Sequence, residues 1–316
     1  MPLVRRMLDE QCPEIDGVGP TADLSLEVVT EGWDNVMLRL GPSLAVRVPR
    51  RGLGARLIVR EQQWLGSIAA RVDVLVPAPV VAGTPTAEYP WHWTVVPWVE
   101  GRAAGAVDRS RLHGVAEPLA AFFTALRTAA PADAPVSVVR GGPLSSRDAA
   151  VCERLSAARH PRGDELAAAW ETALAAPRWS GPAAWLHGDP HPYNIVVSDE
   201  PSGDVALRAV VDFGDMTSGD PACDLAAAWL VFDRTGRAAF RAAVDRHAAA
   251  GDGAVAGTER DVASQLDAPV QLDAAVWDRA RGWALVLATA LLAHSDDAPG
   301  LAATGEQTVA ELLDDA

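Results

Sequence analysis

Apolar and polar positions alternate in short runs over the first hundred residues. Leu24–Val29 is rich in β-formers and ends in a polar, glycine-bearing turn at Thr30–Asn35. Met37–Leu40 and Ala45–Val48 flank Gly41-Pro42, which predicts a hairpin. In the second of these strands Ala45 and Arg47 share one face, and Val46 and Val48 the other. Ala55–Ala70 spaces Leu57, Ile58, Trp64, Leu65 and Ile68 as a helix would. Thr94–Val99 predicts a further strand, running into Glu100-Gly101.

After Gly101 the period changes. Ser110–Thr128, Ser146–Ala158, Gly163–Ala176, Leu225–Ala250 and Ala274–His294 are Ala-rich and read as helices. One β-like island, residues 184–213, lies among them, and the Pro/Gly/Ala-rich loops near 130–143 and 251–268 are expected to be mobile. The expected layout is a β-rich part over 1–100, a connector at about 97–101, and a larger helical part over 101–316.

Composition adds constraints. The chain has 316 residues, 49% of them hydrophobic, with 27 basic and 42 acidic side chains and a net charge of −15. That balance argues against nucleic acid or an anionic membrane as main partner, since either needs a basic surface. All 27 basic residues are arginine, so any chemistry that calls for a lysine must be met otherwise. Residues 1–100 hold 9 arginines against 12 acids and residues 101–316 hold 18 against 30, which gives weight to a cationic ligand on the larger part. Cys12, Cys152 and Cys223 are too few and too scattered for a disulfide framework. The first 30 residues lack an apolar core of secretory type, and Trp283–Ala293 is too short to span a bilayer, so a cytoplasmic location is the expectation.

The candidate chemistry sits in the island WLHGDPHPYNIVVSDEPSGDVALRAVVDFGD, residues 185–215. Asn194–Val197 opens a strand, Ser198–Asp204 is turn chemistry, and Val205–Val211 returns. A hairpin brings its open ends together, so Asn194 and Asp212 should become neighbours. Asp189 precedes Asn194 on a loop that Gly188, Pro190 and Pro192 keep from being helical. Two carboxylates and an amide oxygen suit a hard cation such as Mg²⁺, and phosphoryl transfer needs such a cation plus a carboxylate for the attacking hydroxyl.

His187-Gly188-Asp189 with Asn194, followed by Asp212-Phe213-Gly214, resembles the aminoglycoside phosphotransferase family, cousins of the protein kinases. Asp220–Ala226, Glu31–Asn35, Ala45–Arg50, Arg60–Leu65 and Pro97–Gly101 extend the resemblance over most of the chain. It implies an α+β, bilobal, protein-kinase-like fold and a nucleotide- and Mg²⁺-dependent transfer of phosphate from ATP or GTP to a hydroxyl of a small molecule. An antibiotic acceptor and resistance by inactivation are implied first; a kinase of an endogenous sugar or amino alcohol is the alternative. A metallophosphatase reading of Gly188–His191 lacks the further histidines it needs, and a non-catalytic nucleotide-binding module sits poorly with an intact Asp189/Asn194/Asp212 set.

By the resemblance Asp189 is the catalytic base, and Asn194 and Asp212 are the metal ligands. Arg47 stands where a kinase has its phosphate-holding lysine, with Glu61 as its ion-pair partner. Gly32, Trp33, Asp34 and Asn35 occupy the place of a phosphate loop, and Pro97, Trp98 and Val99 should present backbone amide and carbonyl to the purine. His187 reads as a brace for the loop, and His191 as a phosphate or acceptor contact or a solvated loop residue. Asp215 could face metal or acceptor, Asp220 and Asp224 read as structural support, and Trp283 as a candidate sugar-facing ring.

Overall fold

The computed structural model describes residues 1–31, 35–255, 268–295 and 297–315. Gly32, Trp33 and Asp34, and most of the 251–268 loop, lie outside them. The fold is α+β, and the chain divides into two compact units. The first comprises Met1–Arg71, Leu75–Glu100 and Val210–Gly214; the second comprises Val72–Val74, Gly101–Ala209 and Asp215–Ala316.

Helix α1 (Pro2–Gln11) and the short hairpin β1 (Glu14–Ile15) and β2 (Gly19–Pro20) open the first unit. Its main sheet is antiparallel, built from β3 (Leu26–Glu31), β4 (Asn35–Leu40), β5 (Leu44–Pro49), β6 (Val81–Gly83) and β7 (Trp93–Pro97). The spatial order β3-β4-β5-β7-β6 puts β5 at the centre, with every residue buried. On one face Leu44, Val46 and Val48 join Leu38, Leu40, Trp93 and Val95 against Val4, Met7 and Leu8 of α1. On the other lies α2 (Gly52–Ala69), which buries Ile58, Glu61, Leu65 and Ile68. The period-2 pattern of β5 thus gives one strand two differently occupied faces. Helix α1 is an addition to the elements legible in the sequence.

In the second unit β8 (Arg102–Ala103) pairs with β10 (Ile195–Asp199), which pairs in turn with β11 (Val205–Val210). β9 (Ala184–Leu186) pairs antiparallel with β12 (Thr217–Gly219), Leu186 opposite Thr217. The helices are α3 (Ala116–Leu126), α4 (Asp148–Ala158), α5 (Gly163–Ala175), α6 (Ala222–Leu225), α7 (Ala227–Leu230), α8 (Arg234–Val255), α9 (Val276–His294) and α10 (Pro299–Asp314). The single helix expected over 225–250 is broken into α6, α7 and α8. Helix α9 is buried on nearly all sides and packs against α4, α5, α6 and α10. The 130–143 segment, expected to be mobile, is tied down: the Ala130 amide donates to the Ala183 carbonyl, Ser218 to Pro135, Ser137 to the Thr217 hydroxyl and Asp220 to Gly141. No helix among the described residues is long and apolar enough to cross a membrane.

Candidate active site

In the second unit the loop after β9 carries His187, Gly188 and Asp189. Its backbone is held from below by Asp224 of α6, whose Oδ2 accepts the His187 amide at 2.7 Å and whose Oδ1 accepts that of Gly188 at 2.9 Å. Burial pushes the Asp224 carboxyl up, against these two bonds and the nearby His187. Asp220, next to α6, accepts the Ala222 amide at 3.0 Å and a two-point contact from Arg279, Nε to Oδ2 at 2.7 Å and Nη2 to Oδ1 at 3.3 Å. Asp224 thus holds the loop itself, while Asp220 fixes the start of α6 against Arg279; both carboxylates are buried and hydrogen-bonded.

His187 is fully buried, and its Nδ1 accepts the Asp189 amide at 3.2 Å. His191 Nδ1 accepts the Tyr193 amide at 3.2 Å, which leaves the proton on Nε2, 3.3 Å from Asp189 Oδ2. The other oxygen, Oδ1, lies 3.5 Å from Nη2 of Arg140, which also donates to Asp215 Oδ2 at 3.2 Å. Burial would raise the Asp189 carboxyl; His191, Arg140 and His187 outweigh it and bring it down to about 2. Asp189 is therefore a carboxylate at any neutral pH, with both oxygens in long, weak contacts.

Arg140 has no periodic or motif signal in the sequence; it follows Val138-Val139 and precedes Gly141-Gly142 in the loop expected to be mobile. Only the pinning of that loop brings it to Asp189 and Asp215.

Asn194 is 6% exposed, and its Nδ2 donates to the Asp189 carbonyl at 2.9 Å, which leaves Oδ1 as the atom free to meet a cation. Asp212 belongs to the first unit, in a left-handed backbone conformation with φ 62°. An amide oxygen and a carboxylate are hard donors and fit Mg²⁺, which takes few protein ligands and completes its shell with water and phosphate.

In the first unit Arg47 of β5, opposite Met37 and Thr94, donates to Glu61 of α2. Burial disfavours the charged guanidinium, but Glu61 and then Asp212 outweigh it, and its pKa is raised. Glu61 is 1% exposed, and its Oε1 has no hydrogen-bond partner among the described residues.

The remaining expected residues divide. Asn35 opens β4 opposite Pro49, while Gly32, Trp33 and Asp34 fall outside the described residues. Pro97, Trp98 and Val99 are half-buried, but the Trp98 amide donates to the Ser43 carbonyl at 2.8 Å. That amide is spent within the unit. The Arg39 guanidinium lies over the Trp98 ring, 4.6 Å from its centroid. Trp283 is a correction: it is fully buried within α9, so its ring faces no acceptor.

The family model described as "Phosphotransferase enzyme family" matches residues 25–258, most of the chain. The protein belongs to the phosphotransferase enzyme family. Solved structures similar to this phosphotransferase include the GDP and kanamycin complex of APH(2")-IIia, at 17% identity and a TM-score of 0.64, covering 100% of this chain and 99% of that one. Macrolide 2'-phosphotransferase type I matches at 16% identity and a TM-score of 0.55, over 97% and 96% of the two chains. Macrolide 2'-phosphotransferase MphH from Brachybacterium faecium matches at 20% and 0.54, over 98% and 96%. At such identities the likeness is one of fold. No curated protein matches the chain.

Proposed function

We propose that this phosphotransferase moves the γ-phosphoryl group of ATP or GTP onto a hydroxyl of a small molecule, with Asp189 as the base. The observation that carries the reading is the Asp189 carboxylate, held ionised on a loop braced by Asp224 and flanked by His191 and Arg140. A carboxylate at about 2 is too weak to strip an alcohol beforehand. It accepts the hydroxyl's hydrogen bond, orients the oxygen, and takes the proton as the new O–P bond forms and the bond to the nucleoside diphosphate breaks.

Arg47, kept charged by Glu61, supplies positive charge for the nucleotide phosphates. Asn194 Oδ1 and the Asp212 carboxylate would hold Mg²⁺, which neutralises charge on the transferred phosphate when bound. The acceptor is an antibiotic in the first reading, in keeping with the kanamycin complex and the macrolide enzymes among the structural neighbours. Its inactivation would confer resistance. An endogenous sugar or amino alcohol is the alternative.

A labelled-phosphate screen tests this, with both nucleotides, with and without Mg²⁺, against antibiotics and hydroxylated metabolites. Transfer that Asp189→Ala abolishes while nucleotide still binds is the expected result. Wild-type turnover by that variant would remove Asp189 as base. Transfer to metabolites alone would select the alternative acceptor.

A further inference from the structure

Most arginines near an acid in this protein are paired with it. Arg102 and Arg111 share Asp199, Arg162 meets Glu165, Arg237 meets Glu311 and Asp315, and Arg279 meets Asp220 and Asp273. Arg147 and Arg154 are different: neither side chain makes a hydrogen bond or an ion pair with any described residue, and Arg147 Nε and Arg154 Nη1 are buried. Arg140, beside them, also leaves its Nε buried and unpartnered while Nη2 reaches Asp189 and Asp215.

The local sequence sets this up. Gly141 turns the chain at φ 68°, and a 3-10 turn over Leu144–Arg147 leads straight into α4. Arg147 and Arg154 are seven residues apart, hence on one face of the helical run. The carboxylate next in sequence to Arg147 does not serve it: Asp148 Oδ1 accepts from Trp170 Nε1 at 2.8 Å and from the Cys152 thiol at 3.4 Å. Burial lowers the pKa of Arg154, and the positive charges of Arg147 and then Arg140 add to this against a smaller pull from Glu153. Three guanidinium groups, each with a buried N–H that no described residue satisfies, make a costly arrangement.

We propose that Arg140, Arg147 and Arg154 form an anion-binding subsite for the acceptor, which therefore carries a carboxylate, sulfate or phosphate group besides the hydroxyl it presents. The assignment to the acceptor rests on the reading of Asp189 as base: the base touches the acceptor hydroxyl, and Arg140 touches the base. Guanidinium forks match such oxyanions with paired N–H donors. The net −12 of residues 101–316 is spread over that whole stretch, whereas next to Asp189 the chain places the guanidinium of Arg140.

Two measurements on the full chain test this. In the first, inorganic sulfate is titrated into nucleotide-free protein at constant ionic strength and its binding followed by thermal shift and calorimetry. Saturable binding is expected, about tenfold weaker in the Arg147→Gln/Arg154→Gln double variant and retained in the corresponding Lys variant. The second compares phosphate transfer to matched sugars that bear a carboxylate, no charge or an ammonium group. The preference in kcat/KM for the carboxylate should fall about tenfold in the Gln variant, with nucleotide affinity unchanged.

Absent sulfate binding, or binding equal in the Gln variant, overturns the proposal. So does a preference for the ammonium sugar. Weakened nucleotide binding in the Gln variant overturns it too, because the cluster would then serve the donor. If no sugar is phosphorylated yet sulfate binding depends on Arg147 and Arg154, the anion site stands and the fault lies with the choice of acceptors or the reading of the reaction.

Discussion

The backbone of Gly188 passes so close to Asp215 that a Cβ added there would lie 2.3 Å from the Asp215 carbonyl oxygen. Gly188 also has φ +86°, a conformation that other residues adopt with strain. Gly188→Ala should cost at least ~1–3 kcal/mol from the backbone conformation alone, more with the contact, and should displace Asp189. A lower Tm together with loss of transfer is expected. Unchanged values of both would mean that the loop has room for the methyl.

Asp224 accepts two buried amides, and its replacement should be felt at both. Asp224→Ala strands the donors of His187 and Gly188 and should destabilise by ~2–6 kcal/mol, at ~1–3 for each buried unsatisfied group. Asp224→Asn keeps one acceptor oxygen and should fall between wild type and Ala. Chemical denaturation of the three proteins gives the ranking, and a different order would deny the brace.

Arg47 and Glu61 should show strong coupling. Arg47→Met leaves Glu61 buried and uncompensated beside Asp212, at a cost of ~3–5 kcal/mol. Adding Glu61→Leu should restore much of that stability while nucleotide affinity stays low. A double-mutant cycle that came out additive would mean that the two side chains act independently.

The Asp189 carboxyl, held at about 2 against an ordinary 3.8, has a defined sign in its pH dependence. Its ionic contacts contribute to stability in full above the ordinary value, and that contribution is lost as pH falls through about 2. His191→Ala removes the largest contribution opposing burial, so the carboxyl should take up its proton at a higher pH. Carbon-detected NMR titration of nucleotide-free protein reads the shift directly. An unmoved titration would remove His191 from the control of Asp189.

Thiol labelling should separate the cysteines. Cys152 is exposed, and its thiol is raised by its bond to Asp148 and the Asp148 charge, so it should react slowly at neutral pH and faster as pH rises. Cys12, pushed up to about 11 by burial and Asp9, and Cys223, raised by burial, should react only on unfolding. Asp148→Asn should speed the native labelling; reaction of two thiols in the folded state would contradict the packing.

The parts of the molecule legible in the sequence are those where local chemistry and periodicity agree. β5 and α2 follow from the alternation at 45–48 and the spacing of Ile58, Leu65 and Ile68. The Asp189 loop announces itself through its glycine and prolines. Helix α1 hides because only Val4, Met7 and Leu8 are buried in a ten-residue stretch that also holds Arg5, Arg6, Asp9, Glu10 and Gln11. The burial of Trp283 is equally hidden, since a helix apolar on all sides has no face to read. Arg147 and Arg154 differ in kind: their side chains reach no acid among the described residues, and absence of a partner has no signature along a chain. The tie between the Trp98 amide and Ser43 is a long-range backbone bond, to which side-chain pattern is blind.

The first unit is not continuous along the chain. Residues 210–214 belong to it: the Val210 amide donates to the Leu75 carbonyl, Gly214 packs by Leu57, and Asp212 contributes to the field on Arg47 and Glu61. During synthesis, therefore, a ribosome that has released the first hundred residues has released an incomplete structure, with its Arg47–Glu61 pair lacking part of its surroundings. Completion waits for more than a hundred further residues, most of them the opening half of the second unit. A protein cut at the connector would leave that strip on the wrong fragment, so the two pieces should regain a native first unit only when mixed.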